Sequence, residues 1–95
     1  YDYIRGAKKR NLCFELSEQD FNRIKSGICY LCGKTNTINH KNGIDRVNST
    51  VGYILENCKP CCGGCNYMKL HFETDSWFSK LQKIFSHQNN QISIL

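Results

Sequence analysis

The stretch at residues 29–65 reads CYLCGKTNTINHKNGIDRVNSTVGYILENCKPCCGGC and begins and ends with a Cys-x-x-Cys pair. Two thiolates three residues apart on a tight turn can face the same ion, and two such turns complete a tetrahedral shell of sulfur ligands. The spacing therefore predicts a structural zinc site with four ligands: Cys29, Cys32, Cys62 and Cys65.

Length and composition indicate one small domain. A chain of 95 residues buries limited apolar surface, so a structural metal would add stability that the core cannot supply. With 40% apolar residues and one proline, the chain is typical of a folded protein. The count of seven cysteines is odd, and we see no signal peptide or membrane-spanning run.

The cysteine pattern favours reduced thiols inside a cell, in the cytoplasm or nucleus of a host, over a secreted disulfide scaffold. No membrane partner is expected. We predict that the three cysteines outside the zinc set are small buried hydrophobic residues: Cys13, Cys58 and Cys61.

The formal charge of +5 is unevenly distributed. A basic cluster lies near the start of the chain, and another lysine follows the second cysteine pair. Phosphate groups are the natural partners of such a surface, and an ordinary solvated charged face is the alternative. The residues predicted to contact nucleic acid are Arg5, Lys8, Lys9, Arg10 and Lys69.

Two helices are predicted in the basic N-terminal part, residues 1–28. Apolar residues recur at helical spacing over residues 1–12, with basic residues mostly on the other faces. Ser17 is an N-cap ahead of acidic residues, and Gly27 ends the second helix.

The central part, residues 29–72, is predicted to hold the zinc site, two strands and a short helix. Apolar and polar residues alternate over residues 44–47, as in a strand, and residues 48–52 read as a loop. Residues 53–60 return toward a second strand. The chain then turns at Gly63 and Gly64 into the short helix.

A C-terminal helix and tail are predicted for residues 73–95. Thr74 and Asp75 are N-cap candidates. An apolar stripe at helical spacing predicts that this helix packs on the core; its members are Trp77, Phe78, Leu81, Ile84 and Phe85.

The hairpin followed by a helix places Asp45 on the first strand opposite Asn66 on the helix. Carboxylate and amide oxygens suit Mg²⁺ or Mn²⁺, which keep several water ligands. Such an ion can bind a phosphate oxygen and stabilise the leaving oxygen of a cleaved phosphodiester. Asn57 can fix the loop or orient a neighbouring side chain by hydrogen bonds to the backbone.

An ordered set of short motifs carries a family resemblance: GIDRVN at residues 43–48, GY at 52–53, EN at 56–57 and PCCGGCN at 60–66, followed by Lys69. The set resembles the HNH endonucleases of the His-Me finger, or ββα-metal, superfamily, in a phage- and virus-type branch with a four-cysteine zinc site. The resemblance covers about half the chain. It implies an α+β, zinc-stapled ββα-metal fold with flanking helices, as a single domain over residues 1–95.

The same resemblance implies roles for individual residues. Asp45 and Asn66 would hold the catalytic metal, and Asn57 would be the central Asn of the motif. Arg46 departs from the pattern, because it occupies the position of the histidine that activates water in the family. A guanidinium with a pKa above about 12 cannot act as a general base, so we expect Arg46 to clamp the scissile phosphate.

The base must then be another residue, and two candidates stay open. Tyr53 lies in the loop of the motif, and His40 precedes the first strand. His71 is a third candidate that is less well placed. The structural alternatives are a packed hairpin aromatic for Tyr53 and a loop histidine bonded to backbone for His40.

The sequence thus predicts a metal-dependent DNA endonuclease that hydrolyses phosphodiester bonds, with structural Zn²⁺, catalytic Mg²⁺ or Mn²⁺, and double-stranded DNA as partner. A homodimer or a part of a larger protein is compatible with this prediction. The alternative is a catalytically degenerate, zinc-stabilised nucleic-acid-binding module. A protein-interaction module of the RING or treble-clef kind is disfavoured, since the remaining residues offer no clean second set of four ligands.

Overall fold

The computed structural model of this chain describes residues 2–70 and 72–94, with side chains described through residue 90. The described part is a small α+β fold. Its elements follow in the order α1 (Tyr3–Lys9), α2 (Glu18–Lys25), β1 (Gly43–Arg46), a 3-10 turn (Leu55–Asn57), β2 (Cys58–Cys61), α3 (Gly63–Lys69) and α4 (Thr74–Ile94).

The first two helices begin at side-chain caps. The Asp2 carboxylate accepts the N–H of Arg5, and the Ser17 hydroxyl accepts the N–H of Asp20, as predicted for Ser17. Helix α1 is shorter than the predicted 1–12. It ends because Asn11 adopts the left-handed conformation with φ of 56°, which Asn tolerates better than most residues.

The two strands form an antiparallel pair in which Gly43 lies opposite Cys61 and Arg46 lies opposite Cys58. Helix α2 packs against both strands, and α3 follows β2 directly. The second strand is shorter than the predicted 53–60. Its first half is taken by the 3-10 turn, and Tyr53 makes an isolated bridge with Phe14 instead.

The core lies between α1, α2 and the strand pair. Its buried members are Ala7, Leu16, Ile24, Ile44, Tyr53 and Cys58, and the rings of Tyr3, Phe14 and Phe21 pack around them. The Tyr3 ring lies edge-on to Phe21 and to Tyr53, with centroid distances of 5.5 and 5.8 Å. The hydroxyl of Tyr3 also accepts the N–H of Ile44 at 3.0 Å, which joins α1 to β1.

The remaining cysteines divide into two environments. Cys58 and Cys61 are buried, as predicted, whereas Cys13 is exposed and its prediction was wrong. Side chains alternate in direction along this extended segment, so that Leu12 and Phe14 turn inward and Cys13 turns outward.

Helix α4 contradicts its prediction as well. Trp77 is buried, but Phe78, Ile84 and Phe85 are 46%, 49% and 68% exposed. The 21 residues of α4 make it about 32 Å long, whereas α1 and α2 have 7 and 8 residues and are roughly 10–12 Å long. Most of the stripe therefore has no described surface to pack on. Among the described residues, no helix combines the length and apolar character needed to cross a membrane.

Candidate metal centre and active-site cavity

The two cysteine pairs meet as predicted. The sulfur atoms of Cys29, Cys32, Cys62 and Cys65 all lie within 4.8 Å of one another. The Sγ atoms of Cys32 and Cys62 are 3.7 Å apart, close to the edge of roughly 3.8 Å in a tetrahedron with Zn–S bonds of about 2.3 Å. The cluster can therefore hold a zinc ion.

Local backbone geometry shapes both cysteine turns. In the first, Gly33 donates its N–H to the carbonyl of Cys29 and takes a φ of +79°, which glycine adopts without strain. In the second, Cys62 is the N-cap of α3, and its sulfur accepts the N–H of Cys65 at 3.4 Å. The helix start thus aims two sulfurs at the same point.

The thiols differ in their readiness to ionise. Burial opposes ionisation of Cys29, yet hydrogen bonds from the backbone of Cys32, Cys62 and Leu31 lower the pKa of its thiol to about 6. Burial, together with hydrogen bonds to Cys62 and Cys32, raises the pKa of Cys65. A bound divalent ion would favour the thiolate form of both sulfurs.

A cavity of about 140 Å³ opens beside β1, between the end of α1 and α3. Its lining includes five predicted site residues, of which Arg10 was predicted to contact nucleic acid: Asp45, Arg46, Tyr53, Asn66 and Arg10. A larger groove of about 710 Å³ lies between α1 and α2, but its lining is mostly apolar. The chemistry is concentrated in the smaller cavity.

Asp45 is 5% exposed and held from two sides. Its Oδ2 atom accepts the hydroxyl of Tyr30 at 2.5 Å and pairs with Nζ of Lys69 at 3.0 Å. Burial and the hydrogen bond to Asp45 raise the pKa of Tyr30, so the phenol stays a donor. Both of these contacts use Oδ2, and Asp45 lines the cavity, so its Oδ1 atom is the candidate ligand atom.

The prediction that Lys69 contacts nucleic acid was wrong. Its side chain is 1% exposed, because the last turn of α3 faces β1 and brings the ammonium onto Asp45. Three other predicted contacts are exposed on α1: Arg5, Lys8 and Lys9. Nε of Arg5 lies 3.8 Å from Oδ2 of Asp2. All three lie outside the lining of the cavity.

Asn66 lies on α3, half-buried, and borders two cavities. One is the cavity at Asp45, and the other is a groove of about 330 Å³ that is also lined by Lys25 and Lys41. The carboxamide of Asn66 makes no hydrogen bond with any residue that the structure describes. Its oxygen is thus available to a ligand beside Asp45.

Arg46 and Tyr53 form one wall of the cavity. Nη1 of Arg46 donates to the carbonyls of Ser49 at 2.5 Å and Val51 at 3.0 Å, and its guanidinium lies 5.4 Å from the centroid of the Tyr53 ring. Tyr53 is a buried core aromatic whose hydroxyl accepts Nη2 of Arg10 at 3.1 Å. Two arginines from distant parts of the chain therefore flank the carboxylate.

Asn57 fixes the loop. Its Nδ2 donates to the carbonyls of Asn48, Val51 and Gly52, and its Oδ1 accepts the N–H of Asn48. The carboxamide is fully used in this way and does not line the cavity. Asn57 thus holds the loop that carries the carbonyls bound by Arg46.

His40 is not brought to the cavity. Its Nε2 lies 2.7 Å from Oδ1 of Asn42, in the turn where Thr37 and His40 pair. Asn42 is buried and donates to the carbonyls of Gly27 and Lys34, so this histidine supports the packing below the first cysteine turn. His71, the third base candidate, lies outside the described residues.

Sequence reasoning missed Tyr30 as a partner of Asp45. It lies inside the first cysteine turn, and its backbone N–H donates to the carbonyl of Pro60, just ahead of the second turn. A signal was available, because a tyrosine inside a Cys-x-x-Cys turn has its position fixed when that turn binds a metal. Its distance from Asp45 in sequence concealed the contact.

The chain is similar to a viral protein whose function is uncharacterised. It is 40% identical over 90 residues to an uncharacterised protein of Acanthamoeba polyphaga mimivirus, and the match covers 94% of this chain. The chain spans 17% of the length of that relative. No protein-family model matches the chain, and no solved structure matches it. The viral relative fits the expected virus-type branch.

Proposed function

We propose that this chain is a metal-dependent endonuclease of the HNH type, which hydrolyses phosphodiester bonds of double-stranded DNA. The observation that carries the proposal is one small cavity that unites two hard oxygen ligands, on Asp45 and Asn66, with two arginines, Arg10 and Arg46. Oxygen ligands beside fixed cations are the groups that hydrolysis of a phosphodiester requires.

The residues fit a magnesium-like ion. Oδ1 of Asp45 and the amide oxygen of Asn66 are hard ligands, and the rest of such a shell is usually water. When bound, Mg²⁺ or Mn²⁺ would polarise the phosphodiester and stabilise the leaving oxygen. Tyr30 and Lys69 hold the other oxygen of Asp45, so that the carboxylate does not need to reorient. The zinc cluster keeps the ends of the central segment together.

Arg46 and Arg10 would bind the scissile phosphate. The Nη1 atom of Arg46 is anchored on backbone carbonyls, while its Nε and Nη2 make no hydrogen bond with a described residue. An anchored guanidinium with donors to spare can stabilise charge that develops on phosphate without reorganising. Arg10 approaches from the other side through its contact with Tyr53.

The path of the DNA backbone would continue past Asn66 into the groove at Lys25 and Lys41. Both lysines line that groove, and Asn66 borders it and the cavity alike. Each nucleotide of a strand carries one phosphate, so one strand can place successive phosphates in the cavity and in the groove. The exposed cations of α1 would add salt-dependent affinity.

Tyr53 and His40 are the two candidates for the general base. Tyr53 lines the cavity and touches both arginines, whereas His40 does not line it. If Tyr53 is the base, Tyr53→Phe lowers the single-turnover rate by about 100-fold or more, while His40→Ala leaves it within about threefold. The reverse pattern would assign the base to His40.

A catalytically degenerate DNA-binding module is the second candidate. The observation that favours it is Arg46 in the position of the expected histidine, together with the lack of a histidine among the described residues that line the cavity. Such a module would bind DNA with the same cations and leave it intact.

Plasmid cleavage separates the two functions. Zinc-loaded protein is incubated with supercoiled DNA and Mg²⁺ or Mn²⁺ beside Asp45→Ala and Asp45→Asn, the second of which keeps the side-chain shape. Asp75→Asn, exposed on α4, is the matched control. The proposal predicts metal-dependent nicking with 5′-phosphate ends that is lost in both Asp45 variants and kept in the control. Binding without cleavage in either metal would favour the degenerate module, and equal cleavage by the Asp45 variants would contradict the metal site.

A further inference from the structure

Lys69 is the most deeply buried cation that the structure describes, at 1% exposure. Its ammonium lies 3.0 Å from Oδ2 of Asp45, and the hydroxyl of Tyr30 donates to the same oxygen. Burying an ammonium is costly unless a counter-charge accompanies it. Each buried charge therefore stabilises the other, and Lys69 is the counter-ion of the Asp45 carboxylate in the folded protein.

The charges around the cavity are unbalanced. The described lining contains one acidic residue, Asp45, and two basic residues, Arg10 and Arg46. The ammonium of Lys69 also contacts the Asp45 carboxylate. Among the described residues, three cations thus lie around this one carboxylate. A cavity with this balance attracts a phosphate and repels a free divalent cation.

We infer that Lys69 acts as the resident counter-ion of Asp45, weakens divalent-metal binding to the free protein, and makes metal binding depend on bound nucleic acid. This inference rests on the proposed metal site at Asp45 and Asn66. A DNA phosphate brings the negative charge that offsets the three cations, so the metal binds the protein–DNA complex more tightly than the free protein. By linkage, the metal strengthens DNA binding by the same factor.

The direct test is the affinity of the free, zinc-loaded protein for Mn²⁺, measured by calorimetry. Lys69→Gln removes the charge and keeps an N–H group that can donate to Oδ2. Its dissociation constant for Mn²⁺ should fall at least about tenfold, because an elementary charge a few ångströms away outweighs one decade of affinity. Lys69→Arg keeps the charge and should bind Mn²⁺ as weakly as the wild type.

Lys83→Gln is the matched control, since Lys83 is exposed on α4 and the substitution changes net charge equally. It should leave Mn²⁺ affinity unchanged. Equal Mn²⁺ affinity in wild type and Lys69→Gln would overturn the counter-ion role while leaving the nuclease proposal intact. A wild-type protein that neither binds Mn²⁺ in the presence of duplex DNA nor cleaves the duplex would overturn the proposed function itself.

The variant remains informative if it folds poorly. A buried Asp45 without its cation needs another one, so Mn²⁺ should restore the folded state of Lys69→Gln and raise its unfolding midpoint far more than that of the wild type. Circular dichroism at fixed zinc concentration measures this difference. An unfolded variant that Mn²⁺ does not rescue would contradict the inference.

Discussion

Replacing Asn57 tests the account of the loop at residues 48–52. The side chain is buried and makes four hydrogen bonds with backbone groups of that loop, at 2.8 to 3.1 Å. Each such bond contributes about 1 kcal/mol net, so Asn57→Ala should lower the free energy of unfolding by about 2–4 kcal/mol. That is a large share of the roughly 5–15 kcal/mol typical of a domain.

Asn57→Asp should cost more than Asn57→Ala at neutral pH, although it is the closer match in shape. Aspartate keeps the oxygen that accepts the N–H of Asn48. Its second oxygen replaces Nδ2, however, and places a buried negative charge next to the carbonyls of Asn48, Val51 and Gly52. Those carbonyls would raise the pKa of the new carboxyl in the folded state. Its penalty is therefore small below the unfolded pKa of about 4 and grows as the pH rises.

Urea unfolding of zinc-saturated protein, followed by circular dichroism, measures both variants. Asn39→Ala is the matched control, because Asn39 is exposed. A loss of less than about 1 kcal/mol for Asn57→Ala, or equal stability of Asn57→Asp and Asn57→Ala at pH 7, would refute this role of Asn57.

Two further substitutions test the packing and the metal. Gly52→Ala should destabilise the fold by about 1–3 kcal/mol in thermal unfolding, because its new Cβ would lie 2.6 Å from the carbonyl oxygen of Cys13. Gly64→Ala should be tolerated, because a Cβ there meets open space. Equal stability of the two variants would contradict the close approach at Gly52. Cys65→Ser should abolish stoichiometric zinc binding and lower the unfolding midpoint. The control Cys58→Ser should keep one zinc per chain in metal analysis. Zinc retained at full affinity by Cys65→Ser would contradict the four-sulfur site.

The four-cysteine cluster was predictable because the two Cys-x-x-Cys pairs are local sequence features. A Cys-x-x-Cys turn points two sulfurs the same way whatever the rest of the chain does, and two turns need only meet. The predicted cap at Ser17 is local in the same sense. Asp45 and Asn66 were also brought together, because a hairpin followed directly by a helix restricts where its ends can lie.

Lys69 and α4 could not be predicted in the same way. Periodicity identifies an apolar stripe on α4, but it does not say whether another surface is available to cover it, and Phe85 is 68% exposed. A lysine three residues after Asn66 reads as a surface cation until the approach of α3 to β1 is known. Tyr30 illustrates the same limit, since its partner lies 15 residues away.

The most direct test of the central claim is whether Asp45 and Asn66 serve the same catalytic ion. Single-turnover cleavage of a duplex is measured with saturating Mg²⁺ for Asp45→Asn, Asn66→Ala and the double variant. If both side chains hold one ion, each single change lowers the rate at least about 100-fold and the double variant is no slower than the worse single variant. Cleavage by Asn66→Ala at the wild-type rate, or fully multiplicative losses in the double variant, would contradict a shared metal site in this cavity.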